Sequence, residues 1–104
     1  MNDSAQQNPP SRFTQNTYTV ATGATITDPA VGPTKYVTLK IPQADTTLKV
    51  GIRGWDQQQQ GTAITINNIF LDPGDLVTLA GNIGDIRIQN SGTSASHINI
   101  LRAH

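Results

Sequence analysis

Hydrophobic and polar residues alternate with a period of two in short segments from Phe13 onward. In one such segment, Val37, Leu39 and Ile41 are separated by polar residues. The same alternation occurs within residues 48–53, 64–66, 86–89 and 98–100. Because successive side chains of a strand point to opposite sides of a sheet, each segment has one hydrophobic and one polar face. This pattern is typical of half-buried antiparallel strands.

Residues that favour turns separate the alternating segments. The clearest is Asp72-Pro73-Gly74-Asp75, where proline and glycine stand at the positions that a tight turn requires. We predict strands at residues 13–21, 24–28, 34–41, 47–53, 62–71, 75–80, 84–90 and 96–102. Seven or eight strands at this spacing predict an all-β fold, an antiparallel β-sandwich of the jelly-roll type, with no helix beyond a turn.

The alternation changes phase once. Ile64 and Ile66 share one parity, whereas Ile69 and Leu71 take the opposite parity across the pair at residues 67–68. Two interpretations stay open: a β-bulge, or a strand that crosses from one sheet to the other.

The predicted core collects the inward-facing hydrophobic residues of these strands. They are Tyr18, Val20, Ile26, Val37, Leu39, Ile41, Leu48, Val50, Ile52, Ile64, Ile66, Ile69, Leu71, Val77, Leu79, Ile86, Ile88, Ile98 and Ile100.

Residues 1–12 form a separate segment without hydrophobic periodicity. They are polar, contain the Pro9-Pro10 pair, and predict a flexible or extended N-terminal arm before a single domain at 13–104. The arm is either a disordered terminus or an element that docks on a neighbouring subunit through Pro9 and Pro10. It lacks the basic and hydrophobic regions of a signal peptide, so we expect a soluble protein made without Sec export.

The composition agrees with strands and turns. Thirty of the 104 residues are Thr, Ile or Val, and all seven acidic residues are Asp. There is no cysteine, which excludes disulfides and thiolate chemistry. Seven basic residues balance seven acidic ones. That balance argues against strong nucleic-acid binding and against a polybasic membrane surface, and no hydrophobic run approaches the length of a spanning helix.

No set of residues predicts an active site or a metal site. His97 and His104 are the only histidines; we expect His97 at a surface or interface and His104 in a frayed end. Six aspartates lie at or beside predicted turns, but none matches a calcium-binding spacing. No serine stands in a nucleophile elbow, and no glycine-rich phosphate loop occurs. The sequence therefore predicts a protein that is not an enzyme and has no cofactor and no metal.

Trp55 begins a segment that we predict to be an exposed loop. It precedes Asp56 and a run of four glutamines that includes Gln57 and Gln58. Trp55 either packs in the core or at an interface, or serves as a stacking platform for carbohydrate with the glutamines as hydrogen-bonding neighbours.

Two arginines occupy equivalent positions in their strands. Arg53 and Arg87 both follow isoleucine on the polar face. If their strands pair across the sheet or across a subunit boundary, the two side chains and Asp85 could form ion pairs. The alternative is a solvated face, since exposed ion pairs contribute only about 0–1 kcal/mol.

The last third of the chain resembles small virion proteins of bacterial viruses. The resemblance lies in residues 70–79 (FLDPGDLVTL), 84–92 (GDIRIQNSG) and 98–101 (INIL). Proteins of this kind decorate or cement capsids, or belong to tails and spikes, and many are cysteine-free sandwiches with an N-terminal arm. The resemblance implies a homo-oligomer, often a trimer, that rests on a viral shell, and it transfers no functional residue.

We therefore expect a structural virion protein, for example a capsid decoration or cement protein, made in the host cytoplasm and located in the virion. A low content of charged residues, 13%, suits a chain that lies against another protein surface. Lysines can protect exposed strand edges, but the last strand has only Arg102 and the two histidines, so we expect another subunit to cover its edge. The alternative is a carbohydrate- or receptor-binding module that uses Trp55.

Overall fold

The structure is a computed structural model that describes residues 12–42 and 46–104. Within these ranges it contains eight strands and no helix. The strands are β1 (Phe13–Val20), β2 (Thr25–Asp28), β3 (Tyr36–Lys40), β4 (Leu48–Trp55), β5 (Ile64–Leu71), β6 (Leu76–Ala80), β7 (Ile86–Gln89) and β8 (Ser96–Ala103). The predicted all-β class is confirmed, and every predicted strand lies within two residues of an observed one at each end.

The strands form two four-stranded antiparallel sheets. The first sheet has the order β1-β8-β3-β6 and the second has the order β2-β7-β4-β5. Apart from β4 and β5, each strand is followed along the chain by a strand of the other sheet. Sequence neighbours are therefore rarely paired, and the alternating pattern alone does not reveal the strand order.

Both sheets contribute to one hydrophobic cluster. Its members include Val37 and Ile98 of the first sheet and Val50 and Ile88 of the second, all of them inaccessible to solvent. Of the predicted core residues, thirteen are buried and five pack partly buried against them. Ile64 was wrongly placed there. Its side chain is 45% exposed because it opens the edge strand β5.

Ile83 belongs to the core although we did not predict it. It lies between β6 and β7, where no alternation marks it, and only 1% of its surface is exposed.

The predicted β-bulge is present in β5. Val50 pairs with Ile69 and Ile52 pairs with Ile66, so Asn67 and Asn68 together lie opposite the single residue between Val50 and Ile52. This explains the change of parity, and the strand does not change sheets. A second register shift follows toward the end of β4, between Ile52 and Trp55.

A buried ion pair joins the two sheets. The Nε of Arg102, on β8, donates to Asp28 Oδ2 at the end of β2 over 2.9 Å, and the two side chains are 1% and 0% exposed. Tyr18 and Asn16 donate to the other carboxylate oxygen of Asp28 at 2.5 and 3.0 Å. The remaining guanidinium nitrogens donate to backbone carbonyls, among them that of Ile83. Full pairing is what allows both charges to be buried.

Two expectations about the end of the chain were wrong. We expected another subunit to cover an edge of β8, but β8 lies between β1 and β3, so both of its edges are paired within the chain, and Arg102 is buried. His104 does not fray. Its Nδ1 donates to the Pro33 carbonyl and its Nε2 is bonded to the Thr14 hydroxyl, each at 2.9 Å.

The turn between β5 and β6 has the predicted form. The Asp75 amide donates to the Asp72 carbonyl at 3.0 Å, and Gly74 has a φ of 87°. Proline at the second position and a glycine with positive φ at the third describe a type II turn.

Residues 12–42 and 46–104 contain no helix with the length and hydrophobicity needed to cross a lipid bilayer.

Candidate functional site

The outward side of the first sheet is almost free of charge. We call it the neutral face; it consists of the odd-numbered residues of β1 and β8 and the even-numbered residues of β3 and β6. The face carries two side chains with a basic nitrogen, Lys40 and His97, and no carboxylate. Threonines such as Thr38 and Thr78, which are cross-strand partners, occupy much of its surface.

Large hydrophobic side chains are exposed on the neutral face. Phe13 at the start of β1 is 55% exposed, and Leu76 at the start of β6 is 63% exposed. β1 and β6 are also the two edge strands of this sheet. A weakly charged surface with exposed hydrophobic residues at both edges is suited to contact with another protein.

The outward side of the second sheet has a different chemistry. A depression of about 220 Å³ crosses β2, β7, β4 and β5, and we call it the cationic groove. Its lining includes Lys49, Arg53, Arg87, Thr25, Asn67 and Gln89. No carboxylate is part of the lining.

The groove exists because a glycine stands at its centre. Gly51 pairs with Arg87 of β7 and faces the bulge of β5 on its other side. Lys49 and Arg53 lie two residues before and after it on the same face of β4, about 7 Å away along the strand. A β-carbon at residue 51 would lie 3.3 Å from the Asn67 carbonyl oxygen. The missing side chain therefore leaves a space that three cations surround.

The arginines that we singled out from the sequence meet in this groove. Arg53 and Arg87 are exposed, as expected for the polar face, and neither guanidinium makes a hydrogen bond or ion pair within the described part of the chain. Asp85 pairs with neither of them; its Oδ1 accepts the Ala30 amide at 2.8 Å. Within the described part of the chain the two arginines therefore lie on a solvated face, and ion pairs across a subunit boundary stay a prediction.

The other predicted interaction residues lie elsewhere. Trp55, Gln57 and Gln58 line a shallower depression of about 160 Å³ at the end of β4. Trp55 is half-buried against the core, and its indole nitrogen donates to the Ala80 carbonyl at 2.8 Å. Pro9 and Pro10 lie outside the described residues.

The loop that carries the glutamines folds around a buried carboxylate. Asp56 is 7% exposed, and its oxygens accept the amides of Gln60 and Gly61 at 3.1 and 2.5 Å. Desolvation favours the neutral acid, but the backbone amides, that of Gln60 first, outweigh it and lower the pKa of Asp56. Asp56 is therefore a structural acceptor that shapes the loop.

No group of three or more histidine or carboxylate side chains converges within residues 12–42 and 46–104 in a way that could hold a metal ion. The aspartates of the turns are instead used locally: Asp75 accepts the Asp72 amide at 2.7 Å and Asp72 accepts the Thr47 hydroxyl at 2.7 Å. Turn formation accounts for these positions.

Lys49 and the amides of the groove were not among the predicted site residues. The signal for Lys49 was available, because it shares the parity of Arg53 on β4. The contributions of Thr25 and Asn67 were not visible, since they depend on strand order and on the position of the bulge.

Comparison with known proteins identifies the fold. No protein-family model matches the chain, and no curated protein matches it in sequence. Among solved structures, PirA is 15% identical, with 85% of this chain and 92% of that chain covered and a TM-score of 0.56. An RmlC-like cupin family protein with a double-stranded β-helix fold from Methanocaldococcus jannaschii is 15% identical, with coverages of 88% and 69% and a TM-score of 0.57.

A de novo designed double-stranded β-helix is 16% identical, with 86% and 97% covered and a TM-score of 0.55. At such low identity these likenesses establish the fold alone: the chain is folded like the double-stranded β-helix proteins. The fold class by itself assigns no activity.

Proposed function

We propose that the chain is a structural virion protein, a capsid decoration or cement protein that acts as a homo-oligomer, with a trimer favoured. Its two sheets would form a jelly-roll sandwich, and its place would be on the virion. None of the solved structures named above is described as a virion protein, so the proposal stands on the surface chemistry of this chain and on the resemblance of its last third.

The strand order supports the finer description of the fold. Two four-stranded antiparallel sheets whose strands, β4 and β5 apart, alternate along the chain are the arrangement of two Greek keys in a jelly roll. Viral capsid domains, lectins and cupins use this architecture. The fold is therefore compatible with a structural role, and the surface must distinguish that role from the others.

The neutral face is the observation that carries the proposal. It spans all four strands of the first sheet, has one lysine and no carboxylate, and exposes Phe13 and Leu76 at its two edges. Interfaces are depleted in charged residues at their centres and enriched in aromatic ones. We expect this face to contact another copy of the chain and the surface of a viral shell.

Light-scattering mass of the purified chain tests the proposal. We expect a mass near three times the 11.1 kDa of one chain. Leu76→Lys places a charge on the neutral face and should reduce the mass to that of one chain. Phe70→Lys is the matched control, because Phe70 is equally exposed, at 63%, on the edge strand β5 of the other sheet. It should leave the oligomer intact.

A wild-type chain that stays monomeric at high concentration would contradict the proposal. So would an oligomer that Leu76→Lys leaves intact and Phe70→Lys dissociates, since the contact would then lie on the second sheet. Removal of residues 1–11 in the same measurement decides whether the predicted arm contributes to assembly.

A further inference from the structure

The cationic groove concentrates unpaired positive charge on a chain whose charges otherwise cancel. Lys49, Arg53 and Arg87 line a single depression around Gly51, and none of the three side chains is bonded to a described residue. The carboxylate nearest in the strand register, that of Asp85, accepts the Ala30 amide and is not part of the groove lining. Three like charges held together on rigid strands favour an anionic ligand.

The arginines determine which anion fits. Arg87 lies opposite Gly51 on the paired strand β7, and Arg53 lies two residues beyond Gly51 on β4. A guanidinium presents parallel N–H donors that match the two oxygens of a carboxylate. Three cations are too few for extended contact with a nucleic-acid backbone, where affinity grows with the number of phosphates neutralised.

The rest of the lining is neutral and can both donate and accept hydrogen bonds. Thr25 and Thr65 contribute hydroxyls, and Asn67, Asn68 and Gln89 contribute amides. Groups of this kind match the hydroxyls of a sugar, which also donate and accept. The ligand that uses the whole lining therefore carries a negative charge and several hydroxyls.

One end of the groove offers a hydrophobic surface. Phe70 is the cross-strand partner of Lys49 and its ring is 63% exposed on the same side of the sheet. An exposed ring beside hydrogen-bonding groups can pack against the hydrophobic face of a sugar ring. The volume of about 220 Å³ is below that of pockets for drug-sized molecules, which limits the buried part of the ligand to about one sugar residue.

We infer that the cationic groove binds a carboxylated sugar, with Arg53 and Arg87 on the carboxylate, the threonines and amides on the hydroxyls, and Phe70 against the ring. This site lies on the sheet opposite the neutral face. It therefore does not depend on how the chain assembles or on whether it belongs to a virion.

Calorimetric titration of the full chain with trigalacturonate, at low salt, tests this inference. We expect binding of trigalacturonate that is about ten-fold or more tighter than that of the neutral galactose trisaccharide or of inorganic phosphate. The double variant Arg53→Gln/Arg87→Gln should weaken it by about ten-fold or more. The matched control Lys35→Gln/Lys40→Gln removes two cations away from the groove, one on β3 of the first sheet and one just before that strand, and should leave the affinity unchanged.

A second variant tests the shape of the groove. Gly51→Ala places a methyl group at its centre while all three cations stay, and Gly51 does not have a positive φ that would forbid it. It should weaken trigalacturonate binding with native folding retained, as thermal unfolding will verify. Absence of binding, equal affinity for phosphate, or full affinity in Arg53→Gln/Arg87→Gln would each overturn the inference.

Discussion

Three arginines of this fold lie in two opposite environments. Arg102 is buried, whereas Arg53 and Arg87 are exposed on the surface. Arg102 is buried between the sheets and uses all its nitrogens, on the Asp28 carboxylate and on backbone carbonyls. Arg53 and Arg87 are exposed and are bonded to no described residue. A buried charge must be fully paired, whereas a surface charge can stay in water until a ligand arrives. The first arrangement stabilises the fold and the second is available for binding.

The sharpest test of this contrast is to remove the charge in each environment. Arg102→Gln should lower the free energy of unfolding by about 3–5 kcal/mol, because Asp28 stays buried without its partner. Arg87→Gln, the control on the surface, should change it by less than about 0.5 kcal/mol. Urea unfolding of both variants measures the difference. Equal losses would show that Arg102 is not paired inside the protein.

Tyr18, which donates to Asp28, tests the buried ion pair through a smaller effect on stability that depends on pH. Desolvation, together with the hydrogen bond to Asp28, raises the pKa of Tyr18 to about 12 from an ordinary value of 10. The folded chain holds this proton more tightly than the unfolded one. The stabilisation is therefore complete below pH 10 and is lost as the pH rises toward 12.

Tyr18→Phe should remove that part of the pH dependence and cost about 1 kcal/mol at neutral pH through the lost hydrogen bond. Thermal unfolding across this pH range, with Tyr36→Phe as the variant of the other tyrosine, measures both effects. An unchanged alkaline slope in Tyr18→Phe would show that the phenol does not titrate with the Asp28 network.

Most of the secondary structure was predictable from the sequence because a period of two has one physical cause. Side chains that alternate across a sheet must be hydrophobic on the buried side, and this located the eight strands and the change of phase at residues 67–68, which only the strand pairing identified as a bulge. Ile83 escaped because it lies in a connection, where no period applies. Ile64 was misplaced because the end of an edge strand is covered on neither side.

The buried ion pair carried a signal that we misread. Arg102 has the parity of Ile98 and Ile100, and Asp28 has the parity of Ile26, so both charges stand at core positions of their strands. Parity alone predicts that such charges are buried. Which buried charges meet depends on how β2 of one sheet packs against β8 of the other, and the spacing of residues within a strand does not reveal that packing.

The sequence predicted the orientation of the arginines in the candidate site but not the groove that they form. The outward orientation of Arg53 and Arg87 followed from alternation. Their convergence required the pairing of β4 with β7, and the depression between them required the position of Gly51 opposite the bulge. A cationic groove built from four strands between residues 25 and 89 has no linear motif.

One experiment compares the buried Arg102 with the exposed Arg53 and Arg87 directly. It is nitrogen-15 NMR of the arginine side chains during titration with trigalacturonate. We predict a slowly exchanging Arg102 Nε–H that does not respond, and fast-exchanging Nε–H signals of Arg53 and Arg87 that shift as the sugar is added. A rapidly exchanging Arg102, or arginines in the groove that do not shift, would contradict this prediction.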